Sequence, residues 1–485
     1  MQRREFLKQS ALVTAAAALL NRAAEAESKP SKGKKPNVLF FFTDQQRVDT
    51  VGCYGSPMIN HMTPHLDRMA SEGVRFNYAF TPQPVCGPTR ACIQTGKYAT
   101  ETGCWRNNIA LKPEEKTLAD ALSAAGYEVG YIGKWHLAST GGLGLKDGQK
   151  PVNYATKPVP PDCRGGYRDY WLASDVLEFT SSAFDGHMFD GDGNRRDFPR
   201  GRYRVDAQTD WVLEYLRTRK RDKPFFLMAS YLEPHHQNNA SHFVGPVGSK
   251  ERFKTYTSPL DLPPGTGDWE AEMPDYLGAC QALDANLGRV RAELERLGIA
   301  DNTLIIYASD HSCHFKTRNA EYKRACHDDA TRVPMIMCGP GFAGGKVVDD
   351  LVSLLDVPST ILGEAGVKLP ETFRGRPLQQ LVSGTPTDWR KELFIQISES
   401  QVGRAVRTSR WTYSVRAEDK QGCEVSCSSE YTEDFLYDNE NDPNQQNNLV
   451  ADPKHSDTRA ELARILRRYI AAVEGMDATI KPRQT

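Results

Sequence analysis

Four apolar runs of strand length, each ending in a cluster of chemically active residues, constrain this chain more than any other feature. Val38 to Phe42 runs into Thr43-Asp44-Gln45, and Tyr127 to Ile132 runs into Gly133-Lys134-Trp135-His136. Phe225 to Leu232 is followed by Glu233-Pro234-His235-His236, and Thr303 to Ala308 by Ser309-Asp310-His311. Runs this short and this apolar read as strands buried on both faces. Helical patterns lie between them. Leu118-Ala119-Asp120-Ala121-Leu122 stops at Gly126, and Leu283, Leu287, Val290, Leu294 and Leu297 repeat along one helix face that stops at Gly298. Strands alternating with helices predict an α/β fold, a large, mixed, mostly parallel sheet sandwiched by helices. Ligands of such sheets bind beyond the carboxyl ends of the strands, and all four polar clusters fall there.

After about residue 385 the pattern changes. Glu392 to Ile397, Ala405 to Thr408, Trp411 to Val415 and Phe435 to Tyr437 read as short strands, and a helix is expected from about Thr458 to Glu474. The predicted organisation is a catalytic domain over 36–385 and a C-terminal subdomain over 386–485, a small antiparallel sheet with a helix. With 485 residues, 39% hydrophobic and 25% charged, the chain can bury a large core. The balance of 61 basic against 62 acidic residues excludes a protein held on nucleic acid or anionic lipid by bulk charge. Ala11 to Leu20, the one uninterrupted apolar stretch, is too short to span a bilayer, so no stable membrane insertion is expected. Arg3, Arg4 and Lys8 precede it and Ala24-Glu25-Ala26 follows, so residues 1–26 read as a signal peptide. Arg3-Arg4-Glu5-Phe6-Leu7-Lys8 resembles the twin-arginine pattern, with an ordinary secretory signal as the alternative. Either places the mature chain in the periplasm or outside the cell. The eleven cysteines show no paired C-x-x-C spacing, and Cys423 and Cys427 are either a disulfide or two free thiols.

One cysteine stands in a different setting. Cys86 opens the segment Cys86-Gly87-Pro88-Thr89-Arg90-Ala91-Cys92-Ile93-Gln94-Thr95-Gly96-Lys97. Pro88 suits the first turn of a helix and Gly96 its end, which puts Cys86 at a helix N-terminus, where unpaired N–H groups favour an anion. Taken alone, Cys86 is a reactive thiol or a small buried residue. The pattern C-x-P-x-R followed by T-G resembles the signature of the formylglycine-dependent (type I) sulfatases of the alkaline phosphatase superfamily, and further motifs follow in family order. The resemblance implies that a formylglycine-generating maturase oxidises Cys86 to the aldehyde 3-oxoalanine. One hydroxyl of the aldehyde hydrate then attacks sulfur, and the other expels sulfate. Asp44-Gln45 and Asp310-His311 resemble the two metal-ligand pairs, with Gln45 and His311 standing where many members have Asp and Asn. Gln keeps an oxygen ligand and suits calcium, whereas the His nitrogen suits manganese or zinc. Calcium is therefore expected, with manganese or magnesium possible. Gly133-Lys134-Trp135-His136-Leu137 resembles the segment whose Lys134 binds a sulfate oxygen and whose His136 bonds the hydrate. The same likeness casts His235 as the residue facing the leaving oxygen, His236 as a substrate contact, Lys323 as a second sulfate-binding lysine and Arg90 as the partner of the nucleophile and the carboxylates.

The function so implied is an exported sulfatase hydrolysing sulfate esters, with a sulfated saccharide as substrate and no nucleic-acid partner. Two other readings stay open: a phosphonate or phosphate monoester hydrolase of the same superfamily, and a catalytically silent glycan-binding protein whose Cys86 remains a thiol. Within Gly165 to Arg204, Tyr167, Tyr170 and Trp171 are candidates to stack on sugar rings. Arg195, Arg196, Arg200, Arg202 and Arg204 either meet a polyanionic glycan or form a salt-bridged surface.

Overall fold

The computed structural model describes residues 34–55, 58, 62–141, 150–384 and 388–483. The signal-peptide expectation over 1–26 and the junction at 385/386 lie outside the described residues. Pro36–Thr485 forms one compact unit. Its main sheet is built from β1 (Asn37–Asp44), β2 (Val74–Phe80), β3 (Glu128–Lys134), β4 (Tyr170–Ser174), β5 (His187–Asp190), β6 (Arg195–Asp197), β7 (Phe225–Pro234), β8 (Thr303–Ser309), β9 (Met335–Cys338) and β10 (Lys346–Ser353). Their order is β10-β2-β9-β8-β1-β7-β3-β4-β5-β6. The five central strands, β8, β1, β7, β3 and β4, are mutually parallel, while β9, β5 and β6 run antiparallel to their neighbours.

Central position explains the uniform apolarity of these strands. All eight residues of β1 are buried. Val38, Phe40 and Phe42 enter one helix–sheet core, and Leu39 and Phe41 enter the other, as the two-residue period of a strand demands. The helix Leu118–Ala124 and the helix Cys86–Thr95 pack in the first layer. The helix Trp269–Arg296 covers the second, burying Leu283, Leu287, Val290 and Leu294.

Register aligns the strand ends. Thr43 of β1 pairs with Ser309 of β8, Asp44 pairs with Pro234 of β7, and Lys134 of β3 pairs with Ser174 of β4. At about 4.8 Å between strands, the residues following each end become neighbours along one edge. A second sheet comprises β11 (Glu392–Ile397), β12 (Val402–Thr408), β13 (Trp411–Ala417), β14 (Glu430–Asp438) and β15 (Thr479–Lys481), with the helix Ser456–Glu474 packed on it. The first four strands are antiparallel, and β15 joins parallel to β14, an edge the sequence did not signal. Among the described residues, no helix is long and apolar enough to cross a membrane. The Cys423 and Cys427 alternatives resolve to two free thiols.

Gly133 decides how the β3 end is aimed. Its φ is +120°, and a Cβ there would sit 1.9 Å from the Ser230 carbonyl oxygen across β7. Gly133→Ala is expected to cost about 2–4 kcal/mol of folding free energy through strain and overpacking. Gly141→Ala, whose Cβ meets none of the described residues within 4 Å, is expected to be neutral. Urea unfolding of the two variants checks the contrast.

Candidate active site

The edge formed by the parallel strands gathers most of the polar clusters around Cys86. Cys86 is the first residue of its helix and is 1% exposed. The helix has no side-chain cap at Val85, and the Asn107 carboxamide oxygen accepts from the Gly87 N–H at 2.9 Å. Lys323 Nζ donates to the Cys86 sulfur at 2.8 Å, His311 Nε2 lies 3.2 Å from it, and Asp44 Oδ1 lies at 3.5 Å. Burial raises the Cys86 thiol, but Lys134, Lys323 and His311 together outweigh it and hold the thiol well below its usual range. The surroundings of position 86 therefore favour a negatively charged atom.

Arg90, one helical turn further on, is 1% exposed and ties the edge together. Its Nη2 donates to Asp44 Oδ2 at 3.1 Å and to Asp310 Oδ2 at 3.3 Å, while Nη1 donates to the Lys134 carbonyl at 3.0 Å and to Ser230 Oγ at 2.7 Å. Lys134, fully buried, lies 2.8 Å from Asp44 Oδ2 and 2.5 Å from Glu178 Oε1. Burial and Cys86 push the Asp44 carboxyl up, yet Lys134, His235 and Arg90 prevail and hold it below the carboxylate range. Asp310, beside Asp44 and equally buried, is raised by burial and by that neighbouring charge. Its Oδ1 accepts from the Gln45 and His311 backbone N–H groups at 3.1 and 2.8 Å.

These residues fit a divalent cation. One donor atom from each of Asp44, Asp310, His311 and Cys86 lies within 4.8 Å of the others. His311 Nδ1 faces the Ser312 carbonyl at 2.9 Å, and Nε2 is turned into the cluster, 3.1 Å from Lys323 Nζ. The Gln45 Oε1 atom is buried with no hydrogen-bond partner, as an oxygen ligand awaiting a cation is. The two carboxylates and the imidazole nitrogen of this cluster, with the Gln45 amide oxygen on the residue next to Asp44, are chemically suited to such a cation.

A cavity of about 370 Å³ opens over Cys86, and His136, His235, His236 and Lys323 line it together with Gln45. His235 Nδ1 lies 2.6 Å from the His236 carbonyl and carries its proton there, while Nε2 lies 3.3 Å from Lys323 Nζ. Burial, with Lys323 next to it, lowers the His235 imidazole below its usual range. His236 packs against Tyr322 with the ring centroids 4.8 Å apart and the planes tilted by 30°. His136 has φ +62°, and its Nδ1 is buried without a partner.

Tyr170 and Trp171 do not reach this cavity. They are consecutive on β4, so their side chains point into opposite helix layers rather than along the strand toward its end. Trp171 is 4% exposed and stacks on Tyr131 at 5.4 Å, and Tyr170 packs on Tyr215 at 4.8 Å. Tyr167 is buried as well and donates to Gln94 at 3.0 Å. Of the arginine run, Arg195, Arg196 and Arg202 are paired with Asp197, Glu214 and Asp210. Arg204 is buried and braces the histidine loop through Glu233 at 2.8 Å and Gln237 at 3.0 Å. Glu178, the buried partner of Lys134, escaped the sequence reading. It lies four residues past the end of β4, so inspecting the segment beyond that strand, as for the other four, would have found it.

A parallel sheet that brings carboxylates, imidazoles and buried cations to one anion-favouring residue defines a hydrolase of anionic esters. A family model described as Sulfatase matches residues 36–367, and one described as N-sulphoglucosamine sulphohydrolase, C-terminal, matches residues 321–472. An ulvan-active sulfatase of Formosa agariphila is 29% identical over 93% of this chain and 83% of its own length. The uncharacterized sulfatase YidJ of Escherichia coli is 30% identical over 90% of this chain and 87% of its own length. A putative sulfatase structure from Bacteroides fragilis superposes with a TM-score of 0.77 at 24% identity, covering 92% of this chain and 97% of the other. A protein solved with its substrate D-glucosamine-2-N,6-O-disulfate gives 0.71 at 24% identity, covering 92% and 99%. The chain belongs to the sulfatase family, the sulfuric ester hydrolases of the alkaline phosphatase superfamily.

His311 Nε2 lies 3.5 Å from a carboxylate oxygen of both Asp44 and Asp310, but Asp44 answers Arg90 and Lys134 besides, whereas Asp310 adds only Arg90. In chelated protein, Asp44→Asn is expected to lose about 3–5 kcal/mol of stability, the scale for breaking a buried ion pair, and Asp310→Asn clearly less. Equal losses in urea unfolding would show that the cations do not depend chiefly on Asp44.

Proposed function

We propose that this chain is an exported carbohydrate sulfatase that works through a formylglycine made from Cys86 and a divalent metal, calcium first among the candidates. The observation that carries the reading is the setting of position 86: a helix-start residue ringed by Lys134, Lys323 and His311, next to a donor set that fits a cation. The saccharide substrate is supported by relatives such as the ulvan-active sulfatase and an N-acetylglucosamine-6-O-sulfatase of Bacteroides thetaiotaomicron, 25% identical over 93% of this chain and 88% of its own length. Residues 1–26 are the proposed leader, 36–385 the catalytic domain and 386–485 the C-terminal subdomain.

Asp44, Gln45, Asp310 and His311 would hold the metal, which when bound supplies positive charge for a sulfate oxygen and lowers the pKa of a hydroxyl beside it. The formylglycine hydrate supplies both the attacking hydroxyl and the one whose loss of a proton releases sulfate. The protein's own groups do the rest. Lys134 and Lys323 bind the peripheral sulfate oxygens, and Arg90 fixes the carboxylates so that these charges are in place before substrate arrives. His136, which lines the same cavity as position 86, takes the proton of the second hydroxyl. His235 faces the leaving oxygen, its ring held with Nε2 3.3 Å from Lys323 Nζ.

Protein produced with a formylglycine-generating enzyme is expected to show an aldehyde at position 86 and an unmodified thiol at Cys92 by peptide mass spectrometry. Cys86→Ala is expected to fold and be inactive. Exhaustive chelation is expected to abolish turnover, and calcium to restore it. Aryl or sugar sulfates should be preferred over phosphonate monoesters by at least about tenfold, or about 1.4 kcal/mol. Sustained turnover by protein whose residue 86 is a thiol would falsify the mechanism, and a preference for phosphonate would favour the rival hydrolase.

A further inference from the structure

The short helix Leu177–Thr180, just beyond β4, brings two unlike side chains to the cavity. Glu178 is 4% exposed, with one oxygen committed to Lys134 and the other, Oε2, buried without any hydrogen-bond partner. That leaves a buried acceptor open to a hydrogen-bond donor entering the cavity. Phe179, the next residue, is 61% exposed and lines the same cavity. It is the single aromatic among the exposed large hydrophobics of the described residues. An aromatic face left in water beside a carboxylate that lacks a donor matches the two faces of a pyranose, apolar C–H on one side and hydroxyl at the rim.

We propose that Glu178 and Phe179 read the sugar that carries the sulfate: the ring lies against Phe179, and a free hydroxyl or ammonium group beside the sulfated carbon donates to Glu178. The proposal rests on the sulfatase reading and narrows its substrate class. A second sulfate at that neighbouring position is rejected, because it brings an anion without a donor to a buried carboxylate. Burial raises the Glu178 carboxyl, but Lys134 outweighs it and brings it down to about 2, so the group accepts and does not donate at neutral pH. Glu178 also holds Lys134, so its effect on sugar recognition must be separated from its effect on the lysine.

Four sulfate esters make that separation: p-nitrophenyl sulfate, a hexose sulfate with its neighbouring hydroxyl free, the neighbouring deoxy analogue and the neighbouring disulfate. In the unmutated enzyme, kcat/KM is expected to be at least about tenfold higher for the free-hydroxyl sugar than for the deoxy or disulfated sugar. Glu178→Gln should lower kcat/KM for the free-hydroxyl sugar at least about tenfold more than for p-nitrophenyl sulfate, and shrink the preference over the disulfate by a similar factor. Phe179→Ala should raise KM for the sugar about fivefold while kcat stays within about twofold and the melting temperature is unchanged. Equal losses on aryl and sugar sulfates would reduce Glu178 to a support for Lys134 and overturn the proposal. So would an unmutated enzyme indifferent to the neighbouring group. Failure of the unmutated enzyme on all four esters would instead strike the sulfatase mechanism, which keeps the two failures apart.

Discussion

The Arg90 guanidinium, locked between Asp44 and Asp310, is the interaction on which the rest of the site depends. It joins a helix to the ends of two adjacent parallel strands, and through the Lys134 carbonyl and Ser230 it reaches two more. A buried ion network of this kind gives little net stability against an apolar core, because each charge loses its hydration. Its value here is geometric. With five donors in a planar fork, Arg90 fixes two carboxylates and a neighbouring backbone at once, which a lysine could not do. The alternation of cation and carboxylate along the edge also keeps Lys134 charged inside the protein, where burial alone would discharge it.

Much of this was legible because parallel sheets concentrate their chemistry at one edge. Uniform apolarity marked β1, β3, β7 and β8, and their polar ends supplied the carboxylates, the histidines and Lys134. The helix Cys86–Thr95 was legible from Pro88 and Gly96, which ends it with φ +68°. What the pattern could not show was direction. Tyr170 and Trp171 have the composition of a sugar platform, but position on an internal strand turns both into core. The arginine run shows the same limit, since Arg204 differs from its neighbours only in facing Glu233 rather than water. Glu178 sits in the same kind of place as the other site residues, four positions beyond a strand end, but in the short helix Leu177–Thr180 rather than directly at the strand terminus.

The C-terminal sheet also reaches the site. Glu399 accepts from the Asn107 backbone N–H at 2.7 Å and pairs with Arg324, while Ser398 accepts from Gln83 at 2.6 Å. Asn107 in turn caps Gly87, and Arg324 follows Lys323. His327 meets Tyr437 at 3.0 Å, and Asp328 meets Arg407 at 2.9 Å, so this stretch acts as a seam between the sheets. The cavity wall and the helix carrying Cys86 are thus completed by residues from far later in the chain.

That late closure sets a clock. Cys86 is almost inaccessible in the folded chain, and the contacts that brace the start of its helix run through Asn107 to Glu399, roughly 300 residues downstream. At a synthesis rate of about 5–20 residues per second, that separation corresponds to about 15–60 s in which the segment is out of the ribosome and not yet sealed. A modifying enzyme acting on Cys86 therefore competes with the completion of the polypeptide. Under the formylglycine proposal, slow translation or delayed docking of the last hundred residues would lengthen that opportunity, and a chain that closes early would be a well-folded molecule that keeps its thiol.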